Sequence, residues 1–157
     1  MQVKKMSESE KRELERIVEK NYGSKLDLSN YDCYINKRKE IYIAPKNLDE
    51  KLIEISSYFG VYFGKLKRNE KIQLSVEGSQ LVGKHATRNI VIVDDENIYR
   101  FMEGLECKWK ELINCEKNNF VLIKNGKDFF GCGMLREEKI ESLVPKARRV
   151  MKTIKKV

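Results

Sequence analysis

The final twelve residues hold six cations and no acid: Lys146, Arg148, Arg149, Lys152, Lys155 and Lys156. Ammonium and guanidinium groups at this density suit phosphate, the guanidinium through paired N–H donors and the ammonium as a point charge. On a helix, positions 148, 152 and 155 share a face and 149 adjoins it. On a strand, 149 and 155 face one way and 148 and 152 the other. In both cases Val150, Met151 and Ile154 can anchor the segment to a core. Those interleaved apolar residues favour a docked basic surface over a frayed, solvated terminus. Binding through phosphates would weaken as salt rises.

Other chemistries lack their residues. His85 is the only histidine, so no His dyad can form. Cys33, Cys107, Cys115 and Cys132 show neither C-x-x-C nor paired Cys/His spacing, which argues against a zinc site. The glycine stretches FGVYFGK and NGKDFFGCG have neither Walker nor dinucleotide-binding spacing, and G-x-S-x-G and H-E-x-x-H are missing. Cys132 has no activating base nearby in sequence and is expected as a buried strand thiol. Asp94, Asp95 and Glu96 are expected in the first turn of a helix, where the dipole favours negative charge, rather than around a metal. The sequence points away from an enzyme, and no cofactor or metal is expected.

The chain has 157 residues, 41% of them hydrophobic, enough for a packed core in one domain or two small ones. Charged residues make up 36% of it, and the richness in Lys, Glu and Ile fits a heat-adapted source. The net charge of +8 and pI near 9.2 favour an anionic partner, with RNA or DNA the first suspects. The excess is uneven. Residues 1–84 carry 17 basic and 13 acidic side chains, and residues 85–145 carry 9 and 11. The beginning, MQVKKMSESEKRELERIV, is charged throughout and unlike a signal peptide, and no apolar run reaches membrane-spanning length. A cytoplasmic protein with reduced thiols and no membrane partner is expected.

Around these residues the chain alternates helix and strand signals. Ser7 or Ser9 can cap a helix to about Asn21, with Leu14, Ile17 and Val18 as its apolar stripe and Gly23 as its stop. Residues 31–35 and 40–43 read as strands around the basic turn Asn36-Lys37-Arg38-Lys39. A second helix is expected over 48–58, then antiparallel strands over 61–66 and 71–76 and a short helix over 78–83. The polar crossing Lys84-His85-Ala86-Thr87 is the expected domain boundary. Beyond it come a strand over 89–93, a helix ending at Met102-Glu103-Gly104, and an ambiguous segment around Trp109, which is expected in the core. Residues 120–123 and 129–135 are expected to form a hairpin with a type I′ turn at Asn125-Gly126. Gly131 and Gly133 inside the second strand mark a bulge, a bend or a close backbone approach. Another apolar run, 140–144, precedes Pro145.

Residues 120–150, FVLIKNGKDFFGCGMLREEKIESLVPKARRV, resemble the carboxy-terminal half of a PUA domain, the RNA-binding fold named for pseudouridine synthases and archaeosine transglycosylases. The strand over 89–93 and the following helix are similar to the start of that domain. Upstream, EIYIAPKNLDEKLIEISSYFGVYFGKLKRNEKIQLSVEGSQLV resembles the pre-PUA domain of the Nip-seven family, the 60S ribosomal subunit biogenesis factors with archaeal homologues. The resemblance rests on Ile41-Tyr42-Ile43, Phe63-Gly64-Lys65 and the strand from Lys71, taken in order. It implies an α+β chain: an N-terminal α/β domain with a small, mainly antiparallel sheet (residues 1–84), then a PUA β-barrel (residues 85–157). It also implies non-catalytic RNA binding in rRNA processing and large-subunit assembly. The basic RNA surface of the family's archaeal members falls here on Arg148, Arg149, Lys152 and Lys155, and charge alone adds Lys146 and Lys156. The LECKWKELINCEKNN and ARRVMKTIKK stretches look more like archaeal PUA domains, including those joined to RNA cytosine methyltransferases. The alternative reading is therefore a stand-alone subunit that positions a separate RNA-modification enzyme, acting on rRNA or tRNA. Expected partners are rRNA or pre-rRNA, with assembly factors or an RNA methyltransferase docking on the N-terminal domain.

Overall fold

Ser7 begins the first helix as the sequence requires. Its hydroxyl accepts the Glu10 N–H at 3.1 Å, and the Glu10 carboxylate accepts the Ser7 N–H at 2.8 Å, a reciprocal capping box. Helix α1 (Glu8–Tyr22) follows the short strand β1 (Val3–Lys5) and ends at Gly23, whose φ of 67° is the left-handed stop. Leu14, Ile17, Val18 and Tyr22 form its buried face. The molecule is a computed structural model that describes residues 2–46 and 60–149. The helix expected over 48–58 lies outside the described residues.

Strands β2 (Tyr31–Asn36), β3 (Glu40–Pro45), β4 (Val61–Lys67) and β5 (Lys71–Leu74) join β1 in an antiparallel sheet of order β1-β2-β3-β4-β5. Ile41, Phe63, Ile72 and Leu74 pack in one cluster with the buried face of α1. The alternation Ile72, Leu74, Val76 suggests that β5 runs to 76, but the strand stops two residues earlier. The Ser75 hydroxyl donates to the Tyr62 carbonyl at 2.6 Å and accepts the Gly78 N–H at 2.9 Å, so helix α2 (Val76–Gly83) starts at Val76.

The polar crossing at 84–89 caps α1. The backbone N–H groups of Thr87 and Arg88 donate to the Tyr22 carbonyl at 2.8 and 3.2 Å. Asn89 Nδ2 donates to the Asn21 carbonyl at 2.6 Å, and an Arg88 guanidinium N–H donates to that of Lys20 at 2.8 Å. The orphan carbonyls at a helix end are thereby satisfied from the next segment of the chain.

The second sheet has the order β10-β9-β8-β6-β7. Strand β6 (Ile90–Ile92) runs parallel to β8 (Asn119–Asn125) and antiparallel to β7 (Glu111–Ile113), with helix α3 (Asp95–Met102) between β6 and β7 in sequence. Strand β9 (Asp128–Leu135) pairs antiparallel with β8 and with β10 (Ile140–Ser142). Cys107 exchanges both backbone hydrogen bonds with Ile140, and Lys110 N–H donates to the Ile92 carbonyl. The segment before β7 thus touches β10 at one end and β6 at the other, bringing the two edges of the sheet together as in a barrel.

Two details differ from expectation. Asn125 pairs with Asp128, so Gly126 and Lys127 are the central turn residues, and only Gly126 has positive φ (61°). This is the type II′ pattern rather than type I′. Asn125 instead uses its side chain, donating to the Val93 carbonyl at 2.9 Å. Trp109 is half-buried at the rim of the core, with the Lys117 ammonium 4.3 Å above its ring, because Trp109 precedes β7 in irregular chain. Gly131 (φ 132°) sits where β9 carries one more residue than β8, and a Cβ on Gly133 would press within 2.7 Å of Ile140. The apolar cluster beneath α1 also contains Val82, Ile90, Leu122 and Phe129, so the two sheets share a core.

Candidate functional site

The basic tail grows out of β10. Ser142 Oγ donates to the Phe101 carbonyl at the end of α3, at 2.7 Å, and Val144 is buried. Pro145, whose ring fixes φ, then opens a 3-10 turn over Lys146–Arg148. Three of the six expected site residues can be placed. Lys146 is exposed and has no carboxylate partner among the described residues. Arg148 is exposed and forms a 2.7 Å ion pair with Glu77, in the first turn of α2. Arg149 is half-buried: its Nε donates to the Val144 carbonyl at 3.0 Å, and its side chain lies over Gly104 just beyond α3. Gly104 has φ of 83°, which favours glycine, and an added Cβ would fall against the Arg149 side chain, which would have to shift. Lys152, Lys155 and Lys156 lie outside the described residues.

Where it is described, the tail is neither the helix nor the strand weighed from its spacing but a short turn leading to an extended Arg149. The geometry gives Arg148 and Arg149 different jobs. Arg149 is tethered by a backbone carbonyl and positions the tail against α3. Arg148 and Lys146 present charge to solvent. Glu77 was not legible as a partner of Arg148, because the two are 71 residues apart and no pattern in either segment points to the other.

Elsewhere several cations are compensated on the spot. Arg16 pairs with Glu13 and Glu70, Lys20 with Glu70, Arg136 with Glu141, and Lys139 with Glu106. The Asp94 carboxylate caps α3 by accepting the Asn97 N–H, and that bond holds its pKa below the usual range. Among the described residues no group of three or more His, Cys, Asp or Glu could hold a metal ion. Burial pushes the Cys132 thiol up to about 12 and those of Cys33 and Cys107 up to about 11, so these sulfurs are protonated at neutral pH. Among the described residues no helix is long and apolar enough to cross a membrane.

With this arrangement in view, one solved structure is informative. The chain is similar to a crystal structure of a PUA domain from Aeropyrum pernix K1 in its tartrate complex. The fold is PUA-like. The TM-score is 0.56, and the match covers 92% of this chain and 86% of the other at 9% identity. Coverage so broad takes in both sheets, while identity so low concerns the path of the chain and no individual residue. No family profile matches the sequence, and neither does any curated protein.

Proposed function

We propose that this chain is a non-catalytic RNA-binding protein whose binding surface is the basic segment after β10. The observation that carries the reading is the PUA-like path of the chain, which ends in a described turn exposing Lys146 and Arg148. PUA domains are RNA-binding modules, and the residues that resemble their closing strands lead directly into this segment. Residues 1–84 and 85–157 are taken as two domains that pack through a shared core, the second bearing the RNA site. Lys152, Lys155 and Lys156 extend that surface in this reading, supported by charge. Binding is mainly to phosphates, with limited base readout. The finer role is rRNA processing and large ribosomal subunit assembly in the cytoplasm, supported by the Nip-seven-like order of motifs.

Arg148→Ala/Arg149→Ala is the direct test, read by fluorescence anisotropy on a single-stranded rRNA fragment across a salt series. The variant should bind more weakly, and its log–log salt slope should be shallower by roughly 0.7 to 0.9 for each phosphate no longer engaged. An unchanged affinity and slope would remove the tail from the RNA site. Crosslinking in cells, followed by sequencing, tests the finer role: pre-rRNA reads support it, and recovery of tRNA alone overturns it.

A further inference from the structure

The turn Asn36-Lys37-Arg38-Lys39 plays no part in the reading above, yet the fold gives it a neighbour. The Leu66 N–H donates to the Lys39 carbonyl at 3.0 Å, so the β2–β3 turn lies beside the end of β4 and the β4–β5 turn that follows. Lys37, Arg38, Lys39, Lys67 and Arg68 are all exposed, and Lys71 is half-buried opposite Lys67. Among the described residues none of these six forms an ion pair. The acids nearest them form no ion pair with any of the six. Glu70 turns to Arg16 and Lys20 on α1, and the Glu40 carboxylate accepts Asn36 Nδ2 at 2.9 Å.

The β2–β3 turn is also preformed. Asn36 Oδ1 accepts the backbone N–H groups of Arg38 and Glu40 at 2.9 and 3.0 Å, and Lys39 holds a left-handed φ of 67°. A loop so fixed presents its cations without first having to order, which lowers the entropic cost of binding.

We propose that these paired hairpin tips form a second phosphate-binding surface for an RNA strand, separate from the tail; this rests on the RNA-binding reading above. RNA suits the surface better than an acidic protein. Protein interfaces are built on apolar or aromatic anchors and are depleted in lysine. The exposed large hydrophobic residues among the described ones are Val61, Tyr99 and Leu105, and none lies in either turn. Phosphate binding needs only exposed cations. The two basic clusters stand at opposite ends of β5: Lys71 begins the strand, and its far end leads through Ser75 to Glu77, which holds Arg148. A four-residue strand spans about 10 Å, short enough for one RNA strand of several nucleotides to reach both clusters.

The test compares the full chain with Lys37→Ala/Arg38→Ala/Lys67→Ala/Arg68→Ala, which spares Lys39 and its left-handed backbone, and with Arg148→Ala/Arg149→Ala. The probes are a labelled single-stranded RNA of roughly 20 nucleotides and polyglutamate, each titrated at several salt concentrations. The quadruple variant should keep the parent thermal midpoint, bind the RNA about tenfold or more weakly, and lose roughly 2 to 3 units of salt slope. RNA binding unchanged in the quadruple variant but weakened in the tail variant would overturn the second surface and leave the tail assignment standing. Loss of polyglutamate binding with RNA binding intact would assign the surface to an acidic protein and overturn the proposal. An unmodified chain that fails to bind RNA would overturn the functional reading itself.

Discussion

Tyr22 and Cys132 meet in the buried core. The phenol donates to the Ile72 carbonyl at 2.7 Å, and the thiol beside it comes from the second sheet. Together with Cys33 and Cys107, Cys132 titrates well above the unfolded thiol value of roughly 8.5. A unit or more below that value both states hold their protons, and stability is independent of these groups. Between about pH 9 and 11 the unfolded chain releases protons that the folded chain keeps, so stability falls by up to about 1.4 kcal/mol per thiol per pH unit. Urea midpoints should therefore be flat from about pH 6 to 7.5, begin to fall near 8.5 and drop steeply above 9, with a shallower drop in Cys132→Ala. At this scale the candidate site was partly legible. The cations at 146, 148 and 149 announce themselves by composition, but the tethering of Arg149 over Gly104 and the pairing of Arg148 with Glu77 depend on residues distant in sequence.

Elements that rest on local chemistry were read correctly. Helix α1 is one, because Ser7, Glu10 and Gly23 act within a turn of their own positions. The end of β5 was not, because the bond that stops it runs from Ser75 to the neighbouring strand at Tyr62. The Asn-Gly signal located the β8–β9 hairpin but misplaced its turn by one residue, since the Asn125 side chain is drawn off to Val93. Closure of the second sheet by Cys107 and Ile140 leaves no periodic trace at all. Gly133 shows how tightly β9 and β10 are drawn together there: an added Cβ would sit 2.7 Å from Ile140 and 3.1 Å from the Glu141 carbonyl. Gly133→Ala should cost about 1 to 3 kcal/mol as an overpacked substitution, measured by denaturant unfolding. An alanine variant as stable as the parent would contradict that close approach.

At the scale of the molecule, the shared core makes the two sheets interdependent. Leu14 and Phe63 from one half lie in the same apolar cluster as Ile90, Leu122 and Phe129 from the other. Helix α1, which serves the first sheet, is capped by the segment entering the second. Unfolding followed by Trp109 fluorescence and by far-ultraviolet circular dichroism should give coincident single transitions. Two separated transitions would show that the halves are energetically independent. The ion pair between Glu77 and Arg148 adds something to this picture. An exposed pair of this kind stabilises by only about 0 to 1 kcal/mol, yet its carboxylate occupies the guanidinium that a phosphate would need. In the RNA-binding reading proposed above, Glu77 is a competitor for Arg148 that a nucleic-acid strand would have to displace. Glu77→Gln should tighten RNA binding up to about fivefold, mostly at low salt, and weaker binding in that variant would show that the ion pair helps the site rather than competes with it.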